Sequence, residues 1–300
     1  MAIEKVVVPV AGLGTRLLPA TKSQPKEMLP VGRKPVVQYV VEELVSQGLK
    51  KFLFVTGKNK RSIEDHFDKD PELLERLRAE GRDELLDEMD YEREGVTFFY
   101  VRQRLNPMGV PGGLGAAVAA AEDFVGEEDF VVALGDTIIT GGDYSGLIRR
   151  MVASHMRNRP AATVAVVEVP EDEVSKYGVV KPKKRAGGEF EAEDLVEKPP
   201  SGEAPSRLAI AARYVFSPVI FDAIRRTAPG VGGELQLTDA IANLIKMGHK
   251  VMCVKLKPDE RRYDIGNPES YFKAFVDFAL ADQQYGYIIR QYLQRKLREV

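Results

Sequence analysis

The sequence contains little cysteine and little histidine. Cys253 is the single cysteine in 300 residues, which excludes an internal disulfide framework and a cysteine-based zinc cluster and suits a reducing compartment. Because it falls within the apolar residues 251–254, Cys253 is predicted to be a buried core residue rather than a nucleophile. The three histidines lack the spacing of metal ligands, so we assign no catalytic role to them: His66, His155 and His249.

An excess of charge of one sign is also lacking. The chain has 43 Lys and Arg residues against 45 Asp and Glu residues, a net charge of −2. It therefore has no general attraction for nucleic acid, and any anion site must be built locally. No apolar run approaches the ~18 residues of a membrane-spanning helix, and the first residues do not have a signal-peptide pattern. These absences predict a cytoplasmic protein with neither a nucleic-acid nor a membrane partner.

The first half of the chain alternates apolar strand patterns with helical periodicities. Strands are predicted at residues 5–10, 52–56, 96–101 and 130–134, and helices at 35–47, 63–67, 71–91 and 114–124. Strands separated by helices pair in parallel through right-handed crossovers. This order predicts an α/β protein with a doubly wound, mostly parallel mixed sheet.

The second half mixes its elements differently. Strand patterns occupy residues 161–169, 208–216 and 250–256, and helical patterns occupy 218–227 and 237–247. A small β excursion at 178–196 is predicted to be a hairpin with a solvated basic tip at 183–185. From residue 268 onward the pattern is helical, with an apolar stripe that includes Phe272, Phe275 and Tyr285.

The strongest local signal follows the first strand and reads Ala11-Gly12-Leu13-Gly14-Thr15-Arg16. Glycines let the backbone approach a phosphate, and the amides of such a turn form a concave anion site. Leu17 stands where the dinucleotide-binding pattern needs glycine or alanine, and the P-loop pattern is not matched. The nearby cations Arg16, Lys22 and Lys26 suit a triphosphate, but the glycines alone are equally typical of an ordinary strand-to-helix turn.

Longer motifs follow in order along nearly the whole chain: PKEMLP at 25–30, YGVV at 177–180, VEKP at 196–199, RYVF at 213–216, GELQLTDAI at 233–241 and DIGN at 264–267. In this combination the sequence resembles the bacterial UTP–glucose-1-phosphate uridylyltransferases of the nucleotide-diphosphosugar transferase superfamily. The resemblance implies a Rossmann-like nucleotidyltransferase domain at 1–266. Its nucleotide-binding half is about 1–140 and its sugar-binding half about 141–266, and a C-terminal helical segment occupies 267–300.

The resemblance implies a nucleotide site in the first half. The glycine-rich stretch lines the nucleotide through Ala11, Gly12, Leu13, Gly14 and Thr15. Arg16 contacts the triphosphate, and Lys26 contacts phosphate charge. Glu27 and Gln103 read the uracil edge, since a carboxylate can only accept from N3–H whereas an amide both donates and accepts. Gly113 is the close-approach glycine near the base.

The resemblance also implies a metal site and a sugar site. Asp136, which follows a strand, and Asp264 hold Mg²⁺, and phosphate oxygens and waters complete its octahedral shell. Glu197 accepts hydrogen bonds from sugar hydroxyls, Lys198 holds the sugar phosphate, and Gly178 lets the sugar ring lie against the backbone. Because two prolines follow, Glu197 and Lys198 are expected to be extended, with side chains on opposite faces.

The implied reaction transfers UMP from UTP to glucose 1-phosphate and gives UDP-glucose and pyrophosphate by in-line displacement. Its catalytic set is Arg16, Lys26, Asp136, Lys198 and Asp264. One alternative is a related enzyme that uses dTTP or another hexose 1-phosphate; thymidylyl relatives typically carry glutamine where Glu27 stands, which favours uridine. The other is a non-catalytic nucleotide-sugar sensor, which would not need the aspartates or the triphosphate cations.

The sequence departs from the family pattern in two places. Residues 104–111 are inserted where the family is usually short, and Ala116 replaces a histidine there. Thr137 stands where a second acidic residue commonly follows Asp136. Because family members are often dimers or tetramers, we also expect a homodimer or homotetramer, with the C-terminal helical segment as a candidate interface.

Overall fold

The computed structural model describes residues 3–89, 91, 95–104, 112–141, 146–184, 186–200 and 202–299. Most of the 104–111 insertion and Arg185 of the predicted hairpin tip lie outside the described residues. The strands are β1 (Lys5–Pro9), β2 (Pro30–Val31), β3 (Lys34–Pro35), β4 (Lys51–Thr56), β5 (Thr97–Arg102), β6 (Phe130–Ala133), β7 (Thr137–Thr140), β8 (Ala162–Glu168), β9 (Gly178–Pro182), β10 (Glu189–Glu197), β11 (Leu208–Phe216), β12 (Val251–Lys255) and β13 (Arg261–Asp264).

The α-helices lie between the strands and at the end of the chain. They are α1 (Val36–Ser46), α2 (Arg61–Phe67), α3 (Pro71–Ala79), α4 (Asp83–Met89), α5 (Gly113–Ala119), α6 (Glu122–Val125), α7 (Leu147–Asn158), α8 (Val219–Arg225), α9 (Leu237–Lys246), α10 (Pro268–Ala281) and α11 (Gly286–Lys296). Short 3₁₀ turns occupy Thr15–Leu17, Lys26–Met28, Glu171–Lys176 and Val231–Gly233.

Nine strands form one twisted sheet in the order β5-β4-β1-β6-β11-β8-β12-β10-β9. The first four are parallel neighbours, as predicted, with Val7 of β1 beside Leu53 of β4 and Val132 of β6. Strand β11 lies antiparallel to both β6 and β8 and joins the two halves. The predicted doubly wound mixed α/β fold is confirmed, with antiparallel pairs concentrated in the second half.

Apolar layers cover both faces of the sheet. Alternation along β1 shows how they form, since Val6 and Val8 face the layer under α1, α2 and α7, whereas Val7 faces the layer under α5, α8 and α9. All three valines are fully buried, and each contributes about 1.5–3 kcal/mol of hydrophobic stabilisation. The sheet is therefore held rigidly between two helical layers, and its ends are fixed in position.

Two predicted helices are each interrupted, which corrects the sequence expectation. Residues 71–91 form α3 and α4 rather than one helix, because Gly81 between them has φ +67°, outside the helical region. Asp70 caps α3, its Oδ1 accepting from the Leu73 amide at 3.0 Å. Residues 114–124 similarly divide into α5 and α6, with a tight turn at which Ala121 N–H donates to the Val118 carbonyl.

Several elements had no strong signal in the sequence. Helix α7 buries Leu147, Ile148 and Met151 on the sheet. Strands β7 and β13 pair antiparallel in a separate two-stranded sheet, in which Thr137 lies beside Asp264. This small sheet brings a late segment of the chain next to the end of β6. It therefore places Asp264 close to Asp136.

The hairpin and the C-terminal helices agree with expectation. Strands β9 and β10 pair antiparallel, with Val180 beside Leu195. Helix α10 packs on the body of the protein through buried Ala274 and through Phe278, whose ring lies 4.9 Å from that of Tyr39. Helix α11 follows and leaves Ile288 exposed. None of the helices in the described ranges is both long and apolar enough to cross a membrane.

Candidate active site

A cavity of about 480 Å³ opens at the carboxyl edge of the parallel strands. Pro9 at the end of β1, Gln103 after β5 and Leu134 after β6 all line it. Ligands of open α/β sheets bind at this edge. The cavity is lined by every residue predicted to contact the nucleotide: Ala11, Gly12, Leu13, Gly14, Thr15, Arg16, Lys26, Glu27, Gln103 and Gly113.

A smaller cavity of about 210 Å³ adjoins the first. Arg16, Asp136, Glu197 and Lys198 line both cavities. The smaller one also contains Asp264 and the remaining predicted sugar-site residue, Gly178. The structure thus places every predicted site residue on one continuous surface.

The glycine-rich stretch is shaped by a left-handed residue. Gly14 has φ +67°, and a Cβ placed there would lie 3.3 Å from the Cβ of Thr21. The Thr21 hydroxyl donates to the Gly14 carbonyl at 2.7 Å, which fixes the turn. Arg16 follows in the 3₁₀ turn with its side chain exposed at the cavity. This geometry requires glycine at position 14 and presents a cation beside the backbone.

The charged centre of the site consists of Lys26, Asp136 and Asp264. The Lys26 ammonium forms a salt bridge with Asp136 Oδ2. Burial alone would lower the pKa of Lys26, but the surrounding carboxylates, Asp136 foremost, hold it above its usual value. Burial would raise the pKa of Asp136, yet Lys26 outweighs that effect and holds it below its usual range.

Asp264 differs from Asp136 in its surroundings. Burial, and after it the negative charge of Asp136, raises the pKa of Asp264 above its usual value. Among the described residues, no side chain donates a hydrogen bond to its carboxylate, although Arg262, Lys26 and Arg16 act on it through space. Two neighbouring carboxylates with only one directly bound ammonium form a site that favours an additional cation.

Glu27 and Gln103 lie on the part of the larger cavity that is lined by Gly113. Glu27 is only 1% exposed, and its Oε2 accepts from the Lys60 ammonium at 2.8 Å. Burial raises the pKa of Glu27, and the ammonium groups of Lys60 and Lys26 oppose that rise. The Gln103 side-chain amide donates to the Gly113 carbonyl at 2.9 Å, which leaves its Oε1 as an acceptor.

Gly113 is needed where the start of α5 meets the segment before α9. It has φ +87°, and a Cβ there would lie 2.8 Å from the Glu234 Cβ and the Leu235 carbonyl oxygen. Backbone hydrogen bonds join the two segments, since Gly115 N–H donates to Leu235 O at 2.7 Å and Leu235 N–H donates to Gly112 O at 2.8 Å. This packing explains the glycine without any ligand.

The sugar-site prediction is changed at one residue. Lys198 has φ +44°, so it is not extended as expected; the strand ends at Glu197 and the backbone turns there. Its ammonium lies 3.4 Å from Glu197 Oε1, so both side chains point toward the same region rather than to opposite faces. A Cβ on Gly178 would lie 2.6 Å from Thr238 Oγ1 and 3.1 Å from Glu197 Oε2. The glycine therefore leaves room for the Glu197 carboxylate.

Sequence reasoning did not assign roles to several lining residues. Glu234 lines the larger cavity, and Gln236 lines both cavities. The smaller cavity is also lined by Tyr214, Thr238 and Arg262. The segment GELQLTDAI contains three of these residues, so the motif itself was the available signal. The place of Glu234 depends on the docking of α5 against the segment before α9, which no local pattern shows.

A buried ion pair lies beside the segment that follows Asp136. Arg213 of β11 is fully buried, and its Nη2 donates to Glu43 Oε2 of α1 at 2.6 Å. The same Nη2 donates to the carbonyl of Thr137 at 2.9 Å. Arg213 thus links α1 and β11 to the residue that follows Asp136, and it fixes the backbone there.

Comparison with known proteins agrees with this geometry. The sequence profile of the family described as Nucleotidyl transferase matches residues 5–280. The chain is 41% identical to the UTP–glucose-1-phosphate uridylyltransferase of Bacillus subtilis (strain 168) over 282 residues, 94% of this chain and 93% of the relative. It belongs to the nucleotidyl transferase family, among the UTP–glucose-1-phosphate uridylyltransferases. The resemblance drawn from its motifs is confirmed, and so is the expectation that it is an enzyme.

Solved uridylyltransferase structures have the same fold. A UTP-bound structure from Acinetobacter baumannii superposes with a TM-score of 0.85 at 36% identity, covering 98% of this chain and 99% of the other. A UDP-glucose pyrophosphorylase complexed with UDP-glucose gives 0.82 at 37% identity, covering 92% and 98%. The predicted superfamily fold is therefore confirmed over almost the entire chain.

Proposed function

We propose that the protein transfers UMP from UTP to glucose 1-phosphate, releasing pyrophosphate and forming UDP-glucose. The observation that carries this proposal is the meeting of two cavities at Arg16, Asp136 and Lys198. A nucleoside triphosphate in the larger cavity and a sugar phosphate in the smaller one face each other there. Relatives named for this reaction, and neighbours bound to UTP and to UDP-glucose, support the same substrates.

The reaction needs positioning more than a protein nucleophile. A phosphate oxygen of glucose 1-phosphate attacks the α-phosphorus of UTP, a new P–O bond forms, and the bond to the β-phosphate breaks to release pyrophosphate. The attacking phosphate is already ionised, so no side chain has to remove a proton from it. Arg16, Lys26 and Lys198 lower the repulsion between the two anions and hold them in line.

We propose that Asp136 and Asp264 hold Mg²⁺; nucleotidyl transferases generally use a divalent metal. Two hard carboxylate ligands beside phosphate oxygens suit this ion. In the described ranges no three His, Cys, Asp or Glu side chains gather as a ready-made metal cluster, so the remaining ligands are substrate oxygens and water. The bound ion would neutralise charge on both phosphates. Lys26, which pairs with Asp136, keeps that carboxylate ionised and oriented.

The other contacts set substrate choice. Glu27 accepts from uracil N3–H, and Gln103 completes the reading of the base edge beside Gly113. Glu197 accepts from sugar hydroxyls, and Lys198 binds the sugar phosphate from the same turn. The resulting site is complementary to a uridine nucleotide on one side and to a hexose phosphate on the other.

A pyrophosphate-release assay tests the proposal. Purified protein is given UTP or dTTP with glucose 1-phosphate, or with other hexose 1-phosphates, in the presence of Mg²⁺. The highest turnover is expected for UTP with glucose 1-phosphate. Faster turnover with dTTP or with another hexose 1-phosphate would show that UTP and glucose 1-phosphate are not the preferred substrates. Binding of UDP-glucose without any turnover would support the sensor alternative.

We also propose that the protein acts in the cytoplasm, where UTP is available, and as a homodimer or homotetramer. Exposed apolar side chains on the last two helices support the second proposal. Phe272 is 63% exposed, Tyr287 69% and Ile288 58%. A second copy of the chain would cover them.

A further inference from the structure

Lys60 is a buried lysine behind the larger cavity. It is 5% exposed, and its ammonium lies 2.8 Å from Glu27 Oε2. Glu27 lines the cavity, whereas Lys60 does not. The lysine therefore lies behind the cavity wall, and its hydrogen bond to Glu27 connects it to the cavity.

The turn that contains Lys60 packs against the glycine-rich stretch that begins at Ala11. A Cβ on Gly57, just after β4, would lie 3.2 Å from the carbonyl oxygen of Ala11. Asn59 adopts φ +64°, and the Lys60 carbonyl accepts from the Ile63 amide at 3.0 Å to begin α2. This backbone leaves Lys60 inside the protein, while the neighbouring Lys58 is exposed.

Three charged groups act on the Glu27 carboxylate. They are Lys60 at the start of α2, Lys26 in the same 3₁₀ turn and Asp136 after β6. Lys26 is paired with Asp136, so within the described ranges Lys60 is the group that donates a hydrogen bond to Glu27. A buried carboxylate without a bound cation is strongly disfavoured. Lys60 thus allows Glu27 to be buried as a fixed anion.

We propose that Lys60 is a specificity-determining positioning residue, which holds Glu27 as a hydrogen-bond acceptor toward the nucleobase and so selects uracil over cytosine. Uracil presents an N3–H donor, whereas cytosine presents a bare N3 acceptor at the same place. A fixed carboxylate attracts the first and repels the second. This inference rests on the proposed base contact of Glu27, which the experiment therefore checks separately.

The test compares kcat/KM for UTP and for CTP in Lys60→Met. We expect kcat/KM for UTP to fall about tenfold or more, mainly through KM, and the UTP/CTP ratio to fall by a similar factor, because a charge-assisted contact is lost. Lys60→Arg keeps the cation and is expected to retain most of the ratio. Lys58→Met, an exposed lysine of the same turn, is the matched control and should leave the ratio unchanged.

A double-mutant cycle separates positioning from stability. Glu27→Gln removes the charge that Lys60 balances, so adding Lys60→Met to Glu27→Gln should leave the UTP/CTP ratio of Glu27→Gln unchanged. This comparison also serves if Lys60→Met alone fails to fold, because the double variant has no unpaired buried charge. A further fall of the ratio in the double variant would overturn the proposal.

The remaining outcomes distinguish the two claims. If Glu27→Gln lowers the UTP/CTP ratio but Lys60→Met leaves it unchanged, Lys60 has no role in selection and the base contact of Glu27 stands. If neither variant changes the ratio, Glu27 does not read the base, and both this inference and that contact are wrong. Turnover of UTP with glucose 1-phosphate by the unsubstituted protein tests the overall reaction independently.

Discussion

Asp136 lines both cavities, and its replacement gives the most direct test of the charged centre. Asp136→Asn keeps the shape but removes the anion that pairs with Lys26 and faces Asp264. We expect kcat to fall at least about 1,000-fold, since electrostatic positioning is lost at the reacting phosphates. Pyrophosphate release measures it. Asp123→Asn, on an exposed position of α6, should be indistinguishable from the unsubstituted protein.

Removal of divalent metal ions tests the carboxylate pair without any substitution. Chelation with EDTA is expected to abolish pyrophosphate release, and added Mg²⁺ should restore it. Without the ion, the negative charges of Asp136 and Asp264 repel the phosphates of the substrates. Full activity in excess chelator would contradict the proposed metal site. Circular dichroism of the chelated protein should be unchanged, since Lys26 already offsets part of the carboxylate charge.

Gly178 allows a prediction about the sugar side. In Gly178→Ala the new methyl group meets Thr238 Oγ1 at 2.6 Å, Ile210 Cδ1 at 2.9 Å and Glu197 Oε2 at 3.1 Å. The Glu197 carboxylate must shift, so KM for glucose 1-phosphate should rise about tenfold and stability should fall by about 1–3 kcal/mol. Gly188→Ala in the same hairpin meets nothing within 4 Å and is the control. If Gly178→Ala and Gly188→Ala have equal KM values for glucose 1-phosphate, Gly178 and Glu197 do not belong to the sugar site.

At the scale of elements, a fully buried ion pair joins α1 to β11. Arg213→Met leaves Glu43 as a buried charge without its partner, and unfolding free energy in urea should fall by about 3–5 kcal/mol. Arg207→Met removes an exposed pair with Glu168 and should cost less than about 1 kcal/mol. If both variants lower the free energy of unfolding by a similar amount, burial of the Arg213–Glu43 pair does not make its loss more destabilising.

The same scale shows what the sequence could predict. Strands β4 and β11 are predominantly apolar, and the sequence predicts their ends to within a residue, because buried strands have that pattern. The site residues followed from motifs, which name residue types in order. The pairing of β7 with β13 could not be predicted, since four-residue strands carry little periodic signal and their contact joins distant segments.

Lys60 shows the corresponding limit at the site. In the sequence it is one of several lysines between residues 50 and 60, and solvent exposure is the ordinary expectation for lysine. Its importance comes from burial against Glu27, 33 positions away. Only the three-dimensional contact distinguishes it from Lys58. The backbone turn of Lys198 was hidden for the same reason, because the prolines that follow it favour an extended residue.

At the scale of the whole molecule, the last two helices present apolar surface that no described part of the chain covers. If α11 forms a subunit interface, Ile288→Asp should convert the assembly to monomers, because a buried carboxylate at an interface is strongly unfavourable. Light scattering after size-exclusion chromatography measures the mass. Gln294 is also exposed on α11, so Gln294→Asp should keep the mass of the native assembly. If both variants keep that mass, α11 is not the subunit interface.

The pairing of β7 with β13 also matters during synthesis. The anion-binding turn and the first four sheet strands come from the early part of the chain, whereas Asp264 arrives only after most of it has been translated. A chain that has been synthesised only as far as β12 therefore contains Asp136 without its neighbouring carboxylate. If both carboxylates are needed, as proposed, a growing polypeptide should not consume UTP until its last third has been made and folded onto the first strands.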